Sequence, residues 1–349
     1  MKGNIIVGQS GGPTAAINSS LAGVYRTAID RGAKKVYGMR HGIQGLLNED
    51  YIDLSEHIQT DLDVELLKRT PAAYLGSCRY KLPEIHEDIA TYDKIFSILD
   101  KLEIECFIYI GGNDSMDTIK KLSDYAILRG HPTKFLGVPK TIDNDLALTD
   151  HTPGYGSAAK YIGTSVKEII QDSQALIYDK GLVTIVEIMG RNAGWLVGAA
   201  ALSKGEDCDG PDLIYVPELP FDIDNFLVRI KELLAEKTFV VVAVSEGIRL
   251  ADGRYVCELT DGVDFVDAFG HKQLTGTANY LARRLAQEIG CKTRTIELSS
   301  MQRAASHLAS RIDILEAFQV GGAAVKAADE GDTGEMVIIK RLSDDPYQS

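Results

Sequence analysis

The chain has 349 residues, a length that predicts two domains rather than one core. Hydrophobic residues make up 45% and charged residues 25%, which is the balance of a soluble globular protein. The formal net charge of −13 excludes nonspecific binding to nucleic acid, which needs a basic surface, but allows small anions where a few cations converge.

The sequence carries no sign of export or membrane insertion. No apolar run approaches the roughly 20 residues of a membrane-spanning helix, and the apolar stretch near the N-terminus is too short for a signal peptide. The cysteines are odd in number, scattered and without a Cys-x-x-Cys pair. We therefore expect free thiols and a cytoplasmic protein. The cysteines are Cys78, Cys106, Cys208, Cys257 and Cys291.

Short apolar runs alternate with longer amphipathic stretches along the chain. The apolar runs predict buried parallel strands at 4–8, 106–110, 134–138, 182–188, 212–216 and 239–244. The amphipathic stretches predict helices at 115–130, 157–178 and 222–237. Strands and helices that alternate in this way predict an α/β protein with helices on both faces of its sheets.

Two breaks in the pattern mark further organisation. The stretch 139–156 contains two prolines and several turn residues, which predicts a domain boundary there. The polar ending "RLSDDPYQS" predicts a frayed C-terminal tail.

Two glycine-rich loops follow predicted strands. In "GQSGGPTAAIN", Gly11 and Gly12 let backbone amides approach an anion at the start of a helix. The stretch "IGGNDS" (110–115) has the same order of strand, glycines and helix. Either loop alone is equally consistent with an ordinary strand-to-helix turn, but two on neighbouring strands favour a phosphate site.

Two further strand ends carry polar side chains. In "GVPKTIDND" (137–145), two carboxylates at i and i+2 suit a proton acceptor and a metal neighbour, although a solvated turn is the alternative. In "VEIMGRNAGW" (186–195), Arg191 is placed either to reach a phosphate or to cap a surface turn.

These four segments, in this order, resemble the phosphofructokinase family. The matching motifs are "SGGPTAAIN", "GGNDS", "TIDND" and "MGR", and further matches are "GSCR" (76–79), "VSEG" (244–247) and "TRTIELSSMQR" (293–303). The resemblance covers residues 1–330. It implies two three-layer α/β domains with mostly parallel sheets and an active site in the cleft between them. The implied domains are 1–145 with about 303–330 for the phosphoryl donor, 146–302 for the sugar phosphate, and a tail at 331–349.

The resemblance also implies phosphoryl transfer to the 1-hydroxyl group of fructose 6-phosphate, a step of glycolysis. Asp143 matches the general base, and positioned cations stabilise the charge of the transition state. The implied catalytic residues are Asp143, Lys140, Asp114, Arg79 and Arg191. The implied donor-binding residues are Gly11, Gly12, Gly112, Asp114, Ser115 and Lys140. The implied sugar-phosphate-binding residues are Thr141, Ile142, Asp143, Met189, Gly190, Arg191, Glu246, Arg294 and Arg303.

Two departures from the ATP-using members concern the donor. Asp114 stands where they have a small residue, and Lys140 where they commonly have glycine, as in the branch that uses pyrophosphate. A carboxylate at position 114 repels the α-phosphate of ATP, while Lys140 adds positive charge for the compact pyrophosphate. The sequence therefore favours pyrophosphate as the donor.

The resemblance further implies Mg²⁺ and self-association. Asn113 replaces the family's metal-associated aspartate, and its amide oxygen can still bind Mg²⁺, with Asp145 as a second ligand. Arg294 matches an arginine that a neighbouring subunit lends to the 6-phosphate, so we expect a homodimer or homotetramer. Neither a nucleic acid nor a membrane is expected as a partner.

Three other functions remain as alternatives. One is an ATP-dependent 6-phosphofructokinase, which a comparison of the two donors distinguishes. Another is an NAD kinase, whose fold is related, but "TIDND" and "MGR" argue against it. The third is a noncatalytic regulatory subunit that binds sugar phosphates; Asn113 favours it, while the intact Asp143, Lys140 and Arg191 oppose it.

Overall fold

Two separate pieces of the chain build the first of two units in this protein. The structure is a computed structural model that describes residues 1, 3–175, 179–259 and 276–349. The first unit comprises Met1–Ser157 and Arg303–Ser349, and the second comprises Ala158–Gln302. Among the described residues, no helix combines the length and apolarity needed to cross a membrane.

The strands and helices alternate along the described chain. The strands are β1 (Asn4–Gln9), β2 (Val36–Met39), β3 (Tyr51–Asp53), β4 (Ile104–Gly111), β5 (Lys134–Pro139), β6 (Leu182–Ile188), β7 (Leu213–Tyr215), β8 (Phe239–Ser245), β9 (Lys292–Glu297), β10 (Glu335–Met336), β11 (Ser343–Asp344) and β12 (Tyr347–Gln348). The helices are α1 (Ile17–Asp30), α2 (Gly42–Leu47), α3 (Asp61–Arg69), α4 (Ile89–Lys101), α5 (Asn113–Arg129), α6 (Tyr155–Gln174), α7 (Trp195–Gly198), α8 (Ile223–Glu236), α9 (Thr277–Glu288), α10 (Ser299–Ala304) and α11 (Arg311–Glu330). Short 3₁₀ turns lie at Leu54–Glu56, Ala199–Ser203, Val256–Leu259 and Ser306–Leu308.

Each unit has a mainly parallel sheet. In the first unit the strand order is β10-β5-β4-β1-β2-β3, and all neighbours are parallel except β2 and β3. In the second unit the order is β7-β8-β6-β9, with all neighbours parallel. The mostly parallel α/β architecture predicted from the sequence is therefore confirmed.

The predicted strands and helices correspond closely to the observed ones. The six predicted apolar runs are β1, β4, β5, β6, β7 and β8, and the three predicted helices are α5, α6 and α8. Residues 176–178, the end of the helix predicted at 157–178, lie outside the described residues.

Alternate residues of the central strands face two separate cores in the first unit. Ile5 and Val7 of β1 join a core with residues of α1, α3 and α11, whereas Ile6 joins a core with residues of α4 and α5. Side chains of a strand point alternately to opposite faces, so a sheet covered on both faces needs apolar residues at every position. This is why the strands read as continuous apolar runs in the sequence.

Helices α1 and α11 pack with their backbones unusually close. A Cβ atom on Gly23 would lie 2.0 Å from the carbonyl oxygen of Phe318, and one on Gly321 would lie 2.1 Å from that of Ser20. Any side chain at these positions would collide with the facing backbone. The two glycines therefore allow α11 to lie directly against the helix that follows the first glycine-rich loop.

The C-terminal residues are not the frayed tail that the sequence predicts. Within 341–349, β11 pairs with β12, and Arg341 forms a 2.9 Å ion pair with Asp150. Tyr347 Oη donates a 2.5 Å hydrogen bond to Glu316 of α11. Polar side chains connect this segment to residues far away in the chain. Such contacts cannot be predicted from the spacing of apolar residues or from the positions of turn-forming residues.

Candidate active site

The first glycine-rich loop follows β1 and is held against the segment that carries Arg79. Ser77 Oγ donates a 2.5 Å hydrogen bond to the carbonyl oxygen of Gly11, and the Gly11 amide donates to the carbonyl oxygen of Cys78 at 3.2 Å. Gly11 has a φ of +76°, and a Cβ atom there would lie 3.2 Å from Lys140 Nζ. Glycine alone adopts this backbone without strain, so the loop can lie close to the lysine.

Lys140 places a buried cation beside this loop. Its side chain is 2% exposed, and Nζ donates a 2.9 Å hydrogen bond to the carbonyl oxygen of Gly12. Burial lowers the pKa of Lys140 to about 8, because the charged form loses its hydration. The charge of Asp143 opposes this shift, and the charges of Arg303 and Arg79 add to it. Three cations and one carboxylate, contributed by three segments of the chain, thus interact at one place in the first unit.

The second glycine-rich loop ends β4 and begins α5. Gly112 is the N-cap residue of the helix, and its carbonyl oxygen accepts from the Ser115 amide at 3.0 Å. Asn113 and Asp114 are exposed in the first turn. The amides and dipole at the start of a long helix favour negative charge. Asp114 already supplies one such charge, so a second anion there meets repulsion as well as attraction.

The predicted catalytic loop after β5 has a shape fixed by its own side chains. The Asp143 amide donates to Thr141 Oγ1 at 3.1 Å, and Asn144 has a φ of +55°. Asn144 Oδ1 accepts a 2.9 Å hydrogen bond from the Thr152 amide. Asparagine tolerates this backbone conformation better than most residues. Asn144 therefore shapes the loop, while Asp143 is the residue whose charge acts on Lys140.

The two residues predicted to bind metal lie side by side. Asn113 Nδ2 donates a 3.0 Å hydrogen bond to Asp145 Oδ2. Burial raises the pKa of Asp145, the hydrogen bond from Asn113 lowers it, and the nearby negative charge of Asp114 raises it. A hard divalent cation prefers oxygen ligands and would relieve the repulsion between the two carboxylates. Asp145 Oδ2 and the amide oxygen of Asn113, as distinct from the Nδ2 atom in the hydrogen bond, are the atoms that would fit a divalent cation.

No larger metal site accompanies this pair in the described part of the chain. There, no group of three or more His, Cys, Asp or Glu side chains is arranged to hold a metal ion. A cation bound at Asn113 and Asp145 would need its other ligands from water or substrate, as Mg²⁺ commonly does.

In the second unit, the residues predicted to bind the sugar surround the end of β6. The Gly190 amide donates to Glu246 Oε1 at 3.4 Å, and Ser245 Oγ donates to the carbonyl oxygen of Gly190 at 2.5 Å. The Met189 amide donates to Gln302 Oε1 at 3.1 Å. Met189, Gly190 and Glu246 are thus brought together by hydrogen bonds between neighbouring strand ends.

Arg294 contacts a residue outside the group formed by Met189, Gly190 and Glu246. It lies on β9, and its Nη1 pairs with Asp172 Oδ2 at 2.6 Å, with both side chains well exposed. The structure thus groups Arg294 with α6 rather than with Met189 and Glu246.

A comparison with known protein families matches most of the chain. A family model described as phosphofructokinase matches residues 4–328. The chain belongs to the phosphofructokinase family. The resemblance predicted from its motifs is confirmed.

Individual members of the family are similar over nearly the whole chain. A pyrophosphate–fructose 6-phosphate 1-phosphotransferase of Xanthomonas campestris is 43% identical over 99% of this chain and 81% of its own length. A protein of the same name from Halomonas elongata is 40% identical over the same shares. The crystal structure of a pyrophosphate-dependent phosphofructokinase from Nitrosospira multiformis has a TM-score of 0.86 and 35% identity, covering 99% of this chain and 81% of that one.

One buried acid in this phosphofructokinase-family chain escaped the sequence analysis. Glu187 is 4% exposed in β6, two residues before Met189, and its Oε2 accepts a 2.8 Å hydrogen bond from the Ala278 amide. Burial raises the pKa of Glu187 to about 7, and the charge of Glu297 adds to this effect. The available signal was a single acid inside the apolar run "LVTIVEI".

Proposed function

We propose that this protein transfers a phosphoryl group reversibly between pyrophosphate and the 1-hydroxyl group of fructose 6-phosphate, giving fructose 1,6-bisphosphate and phosphate. The observation that carries the proposal is the buried Lys140 ammonium beside the first glycine-rich loop, where the charges of Asp143, Arg79 and Arg303 act on it. The names of the relatives that are 43% and 40% identical support the same reaction.

In this proposal Asp143 is the general base. It takes the proton of the 1-hydroxyl group as that oxygen attacks the terminal phosphorus of the donor. The transition state of phosphoryl transfer is loose, so positioning and charge stabilisation provide nearly all the catalysis. Lys140, Arg79 and Arg191 stabilise the transferred group and the leaving phosphate, and Thr141 holds the transferred group.

The residues of the glycine-rich loops bind the donor and select it. Gly11, Gly12, Gly112 and Ser115 supply backbone amides and a hydroxyl, and Lys140 supplies the charge. Asp114 excludes ATP, because its exposed carboxylate at the start of α5 would repel the α-phosphate. Pyrophosphate has no further phosphate and avoids this repulsion.

A divalent metal assists the donor. Phosphofructokinases are phosphotransferases that generally need a divalent metal, and we assign Mg²⁺. Asn113 and Asp145 would hold it, as the contact of their side chains supports. When bound, Mg²⁺ neutralises charge on the pyrophosphate oxygens.

Two sets of residues are assigned to the sugar phosphate. Thr141 and Ile142 flank Asp143 in the first unit, and Arg303 binds the 6-phosphate. In the second unit, Met189, Gly190, Arg191 and Glu246 bind the sugar. Arg294 contacts the 6-phosphate on a neighbouring subunit, so the protein is a homodimer or homotetramer. We place it in the cytoplasm, where its five free thiols remain reduced.

A coupled assay of fructose 1,6-bisphosphate formation tests the proposal. Purified protein is supplied with fructose 6-phosphate and either pyrophosphate or ATP, each with and without Mg²⁺, and the reverse reaction is followed with phosphate. We expect activity in both directions with pyrophosphate and Mg²⁺ and little with ATP. Comparable rates with ATP would overturn the donor assignment, and no activity with either donor would favour a noncatalytic subunit.

A further inference from the structure

The loop that carries Asp143 closes on itself through Thr152. Thr152 Oγ1 donates a 2.7 Å hydrogen bond to the carbonyl oxygen of Thr141, and the Thr152 amide donates to Asn144 Oδ1. Thr141 also forms an isolated parallel bridge with Gly154. The two ends of the loop therefore lie side by side, and the position of Asp143 depends on where the segment around Gly154 is held.

Asp313, in the first turn of α11, holds that segment. Asp313 Oδ1 accepts from the Gly154 amide at 2.8 Å, and Oδ2 accepts from the Ser157 amide at 3.0 Å and from Ser157 Oγ at 2.5 Å. The side chain is 3% exposed, and burial raises the pKa of Asp313 while these three hydrogen bonds lower it. Both carboxylate oxygens are thus used to fix one short stretch of backbone.

The carboxylate of Asp313 is not needed as the cap of its own helix. Ser310 is the N-cap residue of α11, and its side chain accepts from the Asp313 amide. The Asp313 carboxylate instead accepts from the start of α6. Burial of a carboxylate disfavours folding unless hydrogen bonds offset it, and hydrogen bonds to a charged acceptor are both strong and directional. The burial of Asp313 is therefore better explained by its hydrogen bonds to Gly154 and Ser157 than by a contribution to the stability of α11.

We infer that Asp313 is a positioning residue for Asp143. It fixes Gly154 and Ser157, and through the bridge of Gly154 to Thr141 it holds the catalytic loop at a constant position beside Lys140. This inference rests on the proposed function, in which Asp143 is the base.

The test compares Asp313→Asn with a matched control, a residue of α1 that contacts the same turn of α11. Asparagine retains one acceptor but turns an NH₂ donor towards either Gly154 or Ser157. Because small displacements of reacting groups slow catalysis strongly, we expect kcat per folded molecule to fall about ten- to a hundredfold, without a comparable rise in either KM. Amide hydrogen exchange in 141–157 should become faster.

The control is Ser19→Ala. Ser19 Oγ donates a 2.6 Å hydrogen bond to the carbonyl oxygen of Ile314, so this variant loosens the same turn of α11 without touching the loop. It should lower the melting temperature and leave kcat and the exchange of 141–157 unchanged. Ser157→Ala removes one of the three hydrogen bonds to Asp313, together with the acceptor of the Ser310 amide, and should give a smaller loss of kcat. The double variant with Asp313→Asn should be no slower than Asp313→Asn alone.

Two outcomes would overturn the inference: a normal kcat per folded molecule in Asp313→Asn, or unchanged exchange in 141–157. If Asp313→Asn does not fold, Ser157→Ala decides, and a normal kcat with unchanged exchange in that variant overturns the inference. A wild-type protein without phosphotransferase activity would refute the proposed function instead. Faster exchange in Asp313→Asn would then still support the loop contact, because exchange is measured without any substrate.

Discussion

The Lys140 ammonium donates its hydrogen bond to the carbonyl oxygen of Gly12, a residue 128 positions earlier in the chain. A backbone carbonyl offsets only part of the hydration that this buried cation has lost. A bound anion would complete its environment. The charge of Lys140 therefore serves its proposed function and at the same time destabilises the folded state.

The first prediction concerns the pH dependence of donor use. Because the pKa of Lys140 is lowered to about 8, its ammonium loses its proton in mildly alkaline solution. The kcat/KM for pyrophosphate, which reports groups of the free enzyme, should therefore fall as the pH rises through about 8. Lys140→Arg should remain charged and show a flat profile there, even if its absolute rate is lower. An identical alkaline decline in both proteins would remove Lys140 from this role.

The second prediction concerns stability. The folded pKa of about 8 lies below the ordinary value of 10.5, so between these values the unfolded chain binds more protons and stability rises with pH. Below pH 8 the lysine is charged in both the folded and the unfolded state, so the whole cost of burying its charge lowers the free energy of unfolding. Lys140→Met should therefore raise the free energy of unfolding at pH 7 by at most about 3 kcal/mol, less the cost of leaving the Gly12 carbonyl without its donor. Urea unfolding at pH 7 and pH 11 measures this, and the gain should vanish at the higher pH.

The third prediction concerns the proposed base. Asp143→Asn should fold normally, because the amide that bonds Thr141 Oγ1 is unchanged, but it should lose about 100- to 10,000-fold in kcat. Binding of pyrophosphate should change little. Asp145→Asn, two residues away in the same loop, is the control and should alter the Mg²⁺ requirement more than the rate at saturating Mg²⁺. Near-normal kcat in Asp143→Asn would exclude it as the base.

The fourth prediction concerns donor choice. Asp114→Gly removes the charge at the start of α5 and should admit ATP, while pyrophosphate turnover declines. Lys140→Gly alone should weaken pyrophosphate use without creating ATP activity, because Asp114 would still repel the α-phosphate. Asp124→Ala, which removes an exposed carboxylate later in the same helix, is the control and should preserve the wild-type ratio of the two rates. Unchanged donor preference in Asp114→Gly would contradict the selectivity role.

The fifth prediction concerns Arg294 and the neighbouring subunit. Its pair with Asp172 is exposed and contributes little stability, so Arg294→Ala should fold normally and raise the KM for fructose 6-phosphate far more than that for the donor. Asp172→Ala should leave both KM values nearly unchanged. Mixed oligomers of the Arg294 and Asp143 variants should regain part of the activity. A fully active monomer would rule out a site shared between subunits.

Much of the fold could be predicted because the central strands are buried on both faces. Strand β9 was not predicted as a strand, because it lies at the edge of its sheet and its sequence, "KTRTIE", is mostly polar and only partly buried. The contacts of the C-terminal segment were also missed. They depend on polar partners such as Glu316, which lies 31 residues before Tyr347.

The site was predictable only in part. The glycines and the acidic loop carry local signals, but nothing local indicates that Arg79 and Arg303 act on Lys140. That convergence depends on how distant segments pack together, and here the family resemblance supplied the expectation. Asp313 and Glu187 gave almost no signal. Asp313 lies in the first turn of a helix, where acids are common, and Glu187 is one acid within an apolar strand.

The close contact of α1 and α11 has a consequence for synthesis on the ribosome. The second unit, Ala158–Gln302, is continuous and can fold as soon as it emerges. The first unit must wait for α11, because that helix packs directly against α1 at Gly23. At typical translation rates of about 5–20 residues per second, the wait lasts on the order of 10 s or more. During that time the apolar face of α1 is exposed, and chaperones can bind it. We therefore expect the first unit, whose synthesis starts first, to finish folding last.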